Sequence, residues 1–334
     1  MSMIMGRGVR SERLALASFI DDIPAMERVT YRSSSVAAVA MLSLLTTPNA
    51  GAKPKEPLHL QPSSKWLLNY ANDSCRLARQ FGEGDDKVML VMDRFEPGDG
   101  MRMSFFGKPA RTSRMDGDAK IRFGPDQAEQ AIGFYPGKGD GKTPALVLRS
   151  EVRIAPRSEA ESAAHDAAHD AGDFSFRWST VTPAEEAAVT WIEVGVPAGR
   201  PFVLETGSMG NAFAALSKCT DELLDHWGVD VARHATMTRP VTPKSDPRQW
   251  IRSGDYPQEM LWQGQRALVQ FRLDVDASGK PTACHIQQTT RAKEFDDAVC
   301  KSIMRRAEFL PALDVEGKPM ASYWLNSVNF HVGL

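Results

Sequence analysis

The chain has 334 residues, with 40 Lys and Arg against 42 Asp and Glu, and a formal charge of −2 at pH 7. That balance lacks the excess of cations needed to neutralise a phosphate backbone, so nucleic acid is excluded as a partner class. With 42% hydrophobic and 25% charged residues, the composition is that of a water-soluble globular protein, and the length points to two domains plus tails.

Residues 1–52 read as an N-terminal extension and signal peptide. The apolar run 33–45 (SSSVAAVAMLSLL) follows Arg28 and Arg32 and precedes Pro48-Asn49-Ala50-Gly51-Ala52, which places small residues at −3 and −1 of a cleavage site after Ala52. Met26 begins a leader of conventional length, with 1–25 upstream of it. A bilayer-spanning helix needs roughly 20 apolar residues, and this run is shorter; a buried core helix is the competing reading. The mature protein is expected to be exported and soluble.

Residues 53–239 are expected to form a β-rich domain. Segments 87–95 (KVMLVMDRF) and 101–106 (MRMSFF) flank Glu96-Pro97-Gly98-Asp99-Gly100, a hairpin signal. Further strands are expected at 119–123, 145–154, 188–194 and 202–205. The domain closes with Asn211 as N-cap of a helix over 212–227, where Phe213, Leu216, Leu223, Leu224 and Trp227 make an apolar stripe and Gly228 the stop.

Three strings in this domain invite chemical readings. The glycine-rich 137–143 has Pro136 where a phosphate loop needs its first glycine, so it reads as a polar hairpin loop. His165 and His169 could share a metal with Asp166 or Asp170 if helical, but 159–173 has no apolar stripe and reads as a mobile, solvated loop. Ser208 lacks the glycine two residues before it that a nucleophile elbow requires. No catalytic residue, metal or cofactor is therefore assigned, and the chain reads as non-enzymatic, with a hydrolase in this domain as the weaker alternative.

A Pro-containing linker at 240–250 (Pro240, Pro243, Pro247) leads into a small domain at 251–334. In 266–275, Ala267, Val269, Phe271, Leu273 and Val275 alternate with Leu268, Gln270, Arg272 and Asp274, the period of a strand with one buried face. The turn Asp276-Ala277-Ser278-Gly279 precedes a returning strand at 282–289. Phe295, Val299 and Ile303 then mark a helix over 295–306, with Asp296 and Asp297 at its start and Arg305 and Arg306 at its end, as the helix dipole favours. Phe309-Leu310-Pro311 stops the helix, and a last β-rich run, 321–332, follows Gly317-Lys318-Pro319.

All four cysteines lie beyond the leader, and an even number in an oxidising compartment favours two disulfides over zinc or thiol chemistry; buried free thiols are the alternative. Of three connectivities, the domain division selects Cys75–Cys219 and Cys284–Cys300. The strand period puts Cys284 and Ile286 on one face, and Cys300 lies beside the helix stripe that must cover that face.

Tyr256-Pro257, Gly264, Val269 and Phe271, Asp276 and Gly279, Asp296, Phe309-x-Pro311-Ala312 and Gly317-Lys318-Pro319 together resemble the C-terminal domain of the TonB family of energy transducers. The resemblance covers about 80 residues, from roughly 255 to 332. It implies a periplasmic domain in which a helix covers a three-stranded antiparallel sheet, so the fold class is α+β. It also implies binding of an extended segment of an outer-membrane receptor or other envelope protein by strand addition, since a free sheet edge carries unpaired N–H and C=O groups. The contact strand is expected to be 321–332, through Ala321, Tyr323, Leu325, Ser327, Asn329 and Phe330; Tyr323, Trp324 and Phe330 could equally be core residues.

The sequence also departs from that family. Thr289-Thr290-Arg291 replaces Ser-Ser-Gly, Phe295 stands where Leu is common, the apolar run contains no His, and no long Pro-rich spacer is present. The first two are tolerable within the family; the last two favour a soluble periplasmic adaptor over a membrane-anchored energy transducer, which is kept as the alternative. Pairing of two copies through sheet edges would give a homodimer.

Overall fold

A computed structural model describes residues 55–331. The apolar run at 33–45 and the cleavage site after Ala52 lie outside the described residues.

The first unit is built from β1 (Leu58–Leu60), β2 (Leu67–Tyr70), β3 (Cys75–Phe81), β4 (Val88–Arg94), β5 (Arg102–Phe106), β6 (Asp118–Gly124), β7 (Gln130–Gly139) and β8 (Thr143–Leu148). Helices α1 (Glu159–Asp170) and α2 (Pro183–Ala188) follow, then β9 (Trp191–Gly195), β10 (Phe202–Leu204) and α3 (Gly210–His226). The ten strands form one sheet in the order β1-β10-β9-β6-β7-β8-β5-β4-β3-β2, antiparallel except for β1 with β10. Strand β7 gives its first half to β6 and its second half to β8, bending the sheet. Beyond β1 the chain crosses to β3, with Ser63 N–H donating to Gln80 O and Gly82 N–H to Gln61 O. The sheet thereby closes on itself around Leu77, Leu90, Phe105, Phe123, Phe134 and Phe202, each almost completely buried.

The β4–β5 hairpin and the polar hairpin loop between β7 and β8 form as the turn chemistry anticipates. Other expectations need correction. The strand expected at 145–154 ends at Leu148, and beyond it Val152 makes a bridge to Met101. Residues 183–188 are helical before β9 begins. Asn211 is not an N-cap, because α3 starts one residue earlier at Gly210, with buried Met209 in the capping position and no side-chain cap. Residues 159–170 are not a loop: Ser158 and Glu161 cap each other's backbone N–H groups, which stabilises a helix that lacks a buried stripe.

The second unit contains α4 (Val231–Ala235), β11 (Thr242–Pro243), α5 (Gln258–Trp262), β12 (Ala267–Val275), β13 (Pro281–Thr289), α6 (Lys293–Arg306), β14 (Phe309–Leu310), β15 (Ala312–Leu313), β16 (Pro319–Met320) and β17 (Ser322–Phe330). Its central sheet runs β13-β12-β17, all antiparallel. Helix α6 covers one face, where Phe271, Phe295, Val299, Ile303, Phe309 and Phe330 share a core. The Pro-containing stretch packs into the same unit: β11 pairs with β14, and Trp250 lies against Phe309 and Trp324.

Both disulfides have the expected connectivity. Cys75–Cys219 ties β3 to α3, and Cys284–Cys300 ties β13 to α6.

One finding overturns the pattern reading of β12, which is buried on both faces. Gln270 and Arg272 look polar enough for solvent, yet both are buried, as is Leu268 between them and the start of the strand, with Gln270 against Arg102 and Arg272 against Trp227 of the first unit. Gln270 Oε1 accepts from Arg102, whereas Arg272 Nε and Nη1 find no hydrogen-bond partner among the described residues and its guanidinium lies on the Trp227 ring instead.

Candidate functional site

Register decides which backbone groups of β17 are free. The Thr290 N–H donates to Leu268 O and the Leu268 N–H to Thr290 Oγ1, so Leu268 turns its backbone toward β13. Backbone direction alternates along a strand, so Val269, Phe271 and Leu273 bond toward β17, to their register partners Val328, Asn326 and Trp324. Tyr323, Leu325 and Ser327 are left with N–H and C=O groups directed away from the sheet. The Ser327 N–H meets Asn326 Oδ1 of its own strand, as expected for an outward donor without a backbone acceptor. Among the described residues no strand pairs with this edge.

Side chains follow the same alternation. Trp324, Val328 and Phe330 point toward α6. Phe330 is buried against Phe295 and Tyr256, which corrects its expected role as a side-chain contact: its ring belongs to the core. Tyr323 faces the first unit, with its ring edge-on to Trp227 at 5.3 Å and stacked on His234 at 5.4 Å. Leu325 and Ser327 line a cleft; Ala321 and Asn329 are exposed.

The remainder of this face is fastened to the first unit by polar contacts. Gln287 Nε2 donates to Asp73 O at 3.0 Å and Phe95 O at 3.3 Å, and Gln288 Nε2 to Asp93 Oδ2 at 3.1 Å. The Arg272 guanidinium lies 4.1 Å from the Trp227 ring centre. These contacts set the second unit against the mouth of the β4–β5 hairpin and leave an open cleft of about 630 Å³ between that hairpin and the outer edge of β17.

Charged groups line the cleft. Arg153 Nη2 donates to Asp99 Oδ2 at 2.7 Å and also reaches Ser179 O. Arg157 stacks on Trp178 at 3.8 Å. Arg102 donates to Gln270 Oε1 at 3.1 Å and lies over the Phe95 ring. The half-buried Glu96 carboxyl is pushed up to about 8, chiefly by loss of water and then by the Glu151 charge, while the Tyr323 hydroxyl partly offsets the shift by hydrogen bonding to it.

Residues with catalytic or metal potential do not converge here. Among the described residues no group of three or more His, Cys, Asp or Glu side chains could hold a metal. His165 stacks on Trp178 at 4.8 Å, and His169 faces Asp246, so the pair fastens α1 to its neighbours. The Ser208 hydroxyl donates to Ala187 O. Glu96, Glu151 and Gln270 were not singled out in the sequence. They come from three separate segments: Glu96 and Glu151 lie in the first unit, and the docking of the second unit brings Gln270 to the same cleft.

Residues 253–332 match the family model of the Gram-negative bacterial TonB protein C-terminal. The TonB-type segment thus comprises α5, the β13-β12-β17 sheet and α6, while the first unit lies outside the match. No curated protein and no solved structure matches the chain. Together, the match and two disulfides, which need an oxidising compartment, fit a protein of the Gram-negative cell envelope. Among the described residues no helix is long and apolar enough to cross a membrane.

Proposed function

We propose that this protein is a non-enzymatic periplasmic adaptor whose TonB-type sheet takes an extended segment of an outer-membrane receptor or other envelope protein as a fourth strand. The observation that carries this reading is the outward edge of β17 at Tyr323, Leu325 and Ser327, which faces an open cleft and has no backbone partner among the described residues. An added strand would satisfy those N–H and C=O groups, and its side chains would alternate between the cleft wall and the α6 side of the sheet. Coverage of the other sheet face by the first unit leaves the edge as the route of approach.

Proline at position 327 tests this directly, because it removes an outward N–H and leaves the bonds to β12 intact. Ser327→Pro is expected to keep the near-UV circular dichroism of the parent and to reduce co-purification of the envelope partner at least tenfold. Undiminished co-purification would refute strand addition at β17. Export is tested separately by N-terminal sequencing of the mature protein, with Lys53 expected as the first residue; retention of 33–45 would support the anchored alternative.

A further inference from the structure

Residues 155–180 leave the body of the first unit and return to it. Ile154 before them is fully buried, and Val181 after them packs on the same core. Between these points no residue is buried, and among the described residues no backbone-to-backbone hydrogen bond joins 155–180 to the rest of the chain. Swinging such a segment away from the body costs little, because few buried apolar contacts are lost.

Within itself the segment is well tied. Phe174, Phe176 and Trp178 alternate along the returning stretch and set their rings against the histidines of α1. His165 stacks on Trp178 at 4.8 Å, Phe176 is edge-on to His165 at 5.6 Å and to Trp178 at 5.0 Å, and Phe174 is edge-on to His169 at 5.2 Å. Arg157 also lies over Trp178, and the Ser179 N–H donates to Glu161 Oε1 at 3.1 Å. These contacts join α1 and its return into one stiff body, so movement falls at its ends.

Polar contacts fasten that body at two places. At its base Arg153 Nη2 donates to Ser179 O, and Asp99 Oδ2 accepts from Arg153 at 2.7 Å and from the Val181 N–H at 3.2 Å. At its far end His169 Nε2 lies 3.8 Å from Asp246 Oδ1, and Arg248 Nη2 lies 3.4 Å from His169 Nδ1, both partners belonging to the second unit. The segment thus bridges the two units, and its Trp178, Ser179 and Thr180 line the same cleft as Leu325 and Ser327 of β17. We propose that residues 155–180 are a hinged flap, anchored beside Arg153 and Asp99 and latched by His169 to Asp246 and Arg248, that swings aside to admit a strand to β17 and retains it once latched. The proposal rests on strand addition at β17 and adds how that edge is opened and closed. Backbone pairing then supplies affinity, and the flap sets the rates of entry and escape.

Thiol accessibility tests the flap with no partner present. Ser327→Cys places a thiol in the cleft of the whole mature protein, to be alkylated either by N-ethylmaleimide or by a polyethylene-glycol maleimide too bulky to pass a latched flap. Adding His169→Ala is expected to speed the bulky reagent about fivefold and to leave N-ethylmaleimide within about twofold, with near-UV circular dichroism unchanged. Asp246→Asn keeps an acceptor for the Arg248 N–H, leaves the ring stack alone, and should act in the same sense. Equal acceleration of both reagents, or none of the bulky one, overturns the flap and leaves strand addition standing. In a second measurement His169→Ala, with Ser327 retained, is expected to release the co-purified envelope partner about threefold faster than the parent; equal release overturns the retaining role. Failure of strand addition itself shows elsewhere, as undiminished co-purification with Ser327→Pro.

Discussion

Glu96 concentrates the cost of leaving water in one titratable group. A carboxyl raised from 4.5 to about 8 holds its proton more tightly when folded than when unfolded, so its contribution to stability is full below about pH 4.5 and is lost as pH climbs through about 8. Between those limits the folded state binds more protons, and stability falls with rising pH. Glu96→Gln is expected to remove that decline, leaving the variant on the order of 1–3 kcal/mol more stable than the parent at pH 9 relative to pH 5, measured by urea unfolding at both pH values. Identical pH slopes would show that Glu96 is ordinarily solvated. The chemistry of this residue was not legible in the sequence, where Glu96-Pro97-Gly98 reads correctly as turn material. Its surroundings come from Glu151 and Tyr323, which lie 55 and more than 200 positions along the chain, and no local pattern reports such an encounter.

At the scale of single elements the second unit was the most legible. The β12–β13 hairpin, the Asp276–Gly279 turn and the Phe295-Val299-Ile303 stripe all reappear in the fold, although β12 is buried on both faces where alternation implied one. The turn itself is tightly specified: Asp276 Oδ1 accepts from the N–H groups of Ser278 and Lys280, and Gly279 adopts φ +86°. A methyl group at Gly279 would come within 2.0 Å of Phe309 O. Gly279→Ala is therefore expected to destabilise the protein by about 2–4 kcal/mol, combining left-handed strain with displacement of the chain leaving α6. A thermal shift of less than a degree would contradict that arrangement. The Cys284–Cys300 bridge closes a short loop across the same unit, and replacing both residues by serine should cost about 3 kcal/mol, read by chemical denaturation without reductant. Helix α1 was missed because apolar periodicity is the usual signal and it has none. The Ser158-x-x-Glu161 capping box was the readable signal, and no buried face was needed to confirm it.

At the scale of the molecule, closure of the ten-stranded sheet and docking of the two units were not legible. Both depend on contacts between distant segments: residues 61–64 meeting the end of β3, and Gln270, Arg272, Gln287 and Gln288 meeting the β3–β5 region. A polar strand face normally means solvent, and here it means a polar interface, of the kind found between domains that can move. Trp227 is central to it, since its ring carries both Arg272 and Tyr323. Trp227→Ala is expected to weaken docking by about 1–3 kcal/mol and to speed proteolysis between residues 228 and 241; an unchanged cleavage rate would place the strength of the interface elsewhere.

Backbone amide exchange along β17 of the whole mature protein, alone and with an extended peptide of the co-purifying envelope partner, tests the proposed docking edge most directly. The amides of Tyr323, Leu325 and Ser327 are expected to exchange rapidly in the free protein, at least tenfold faster than those of Trp324, Asn326 and Val328, and to become protected when the peptide is present. Slow exchange of both sets in the free protein, or peptide binding that leaves the outward amides unprotected, would contradict the addition of a partner strand at this edge.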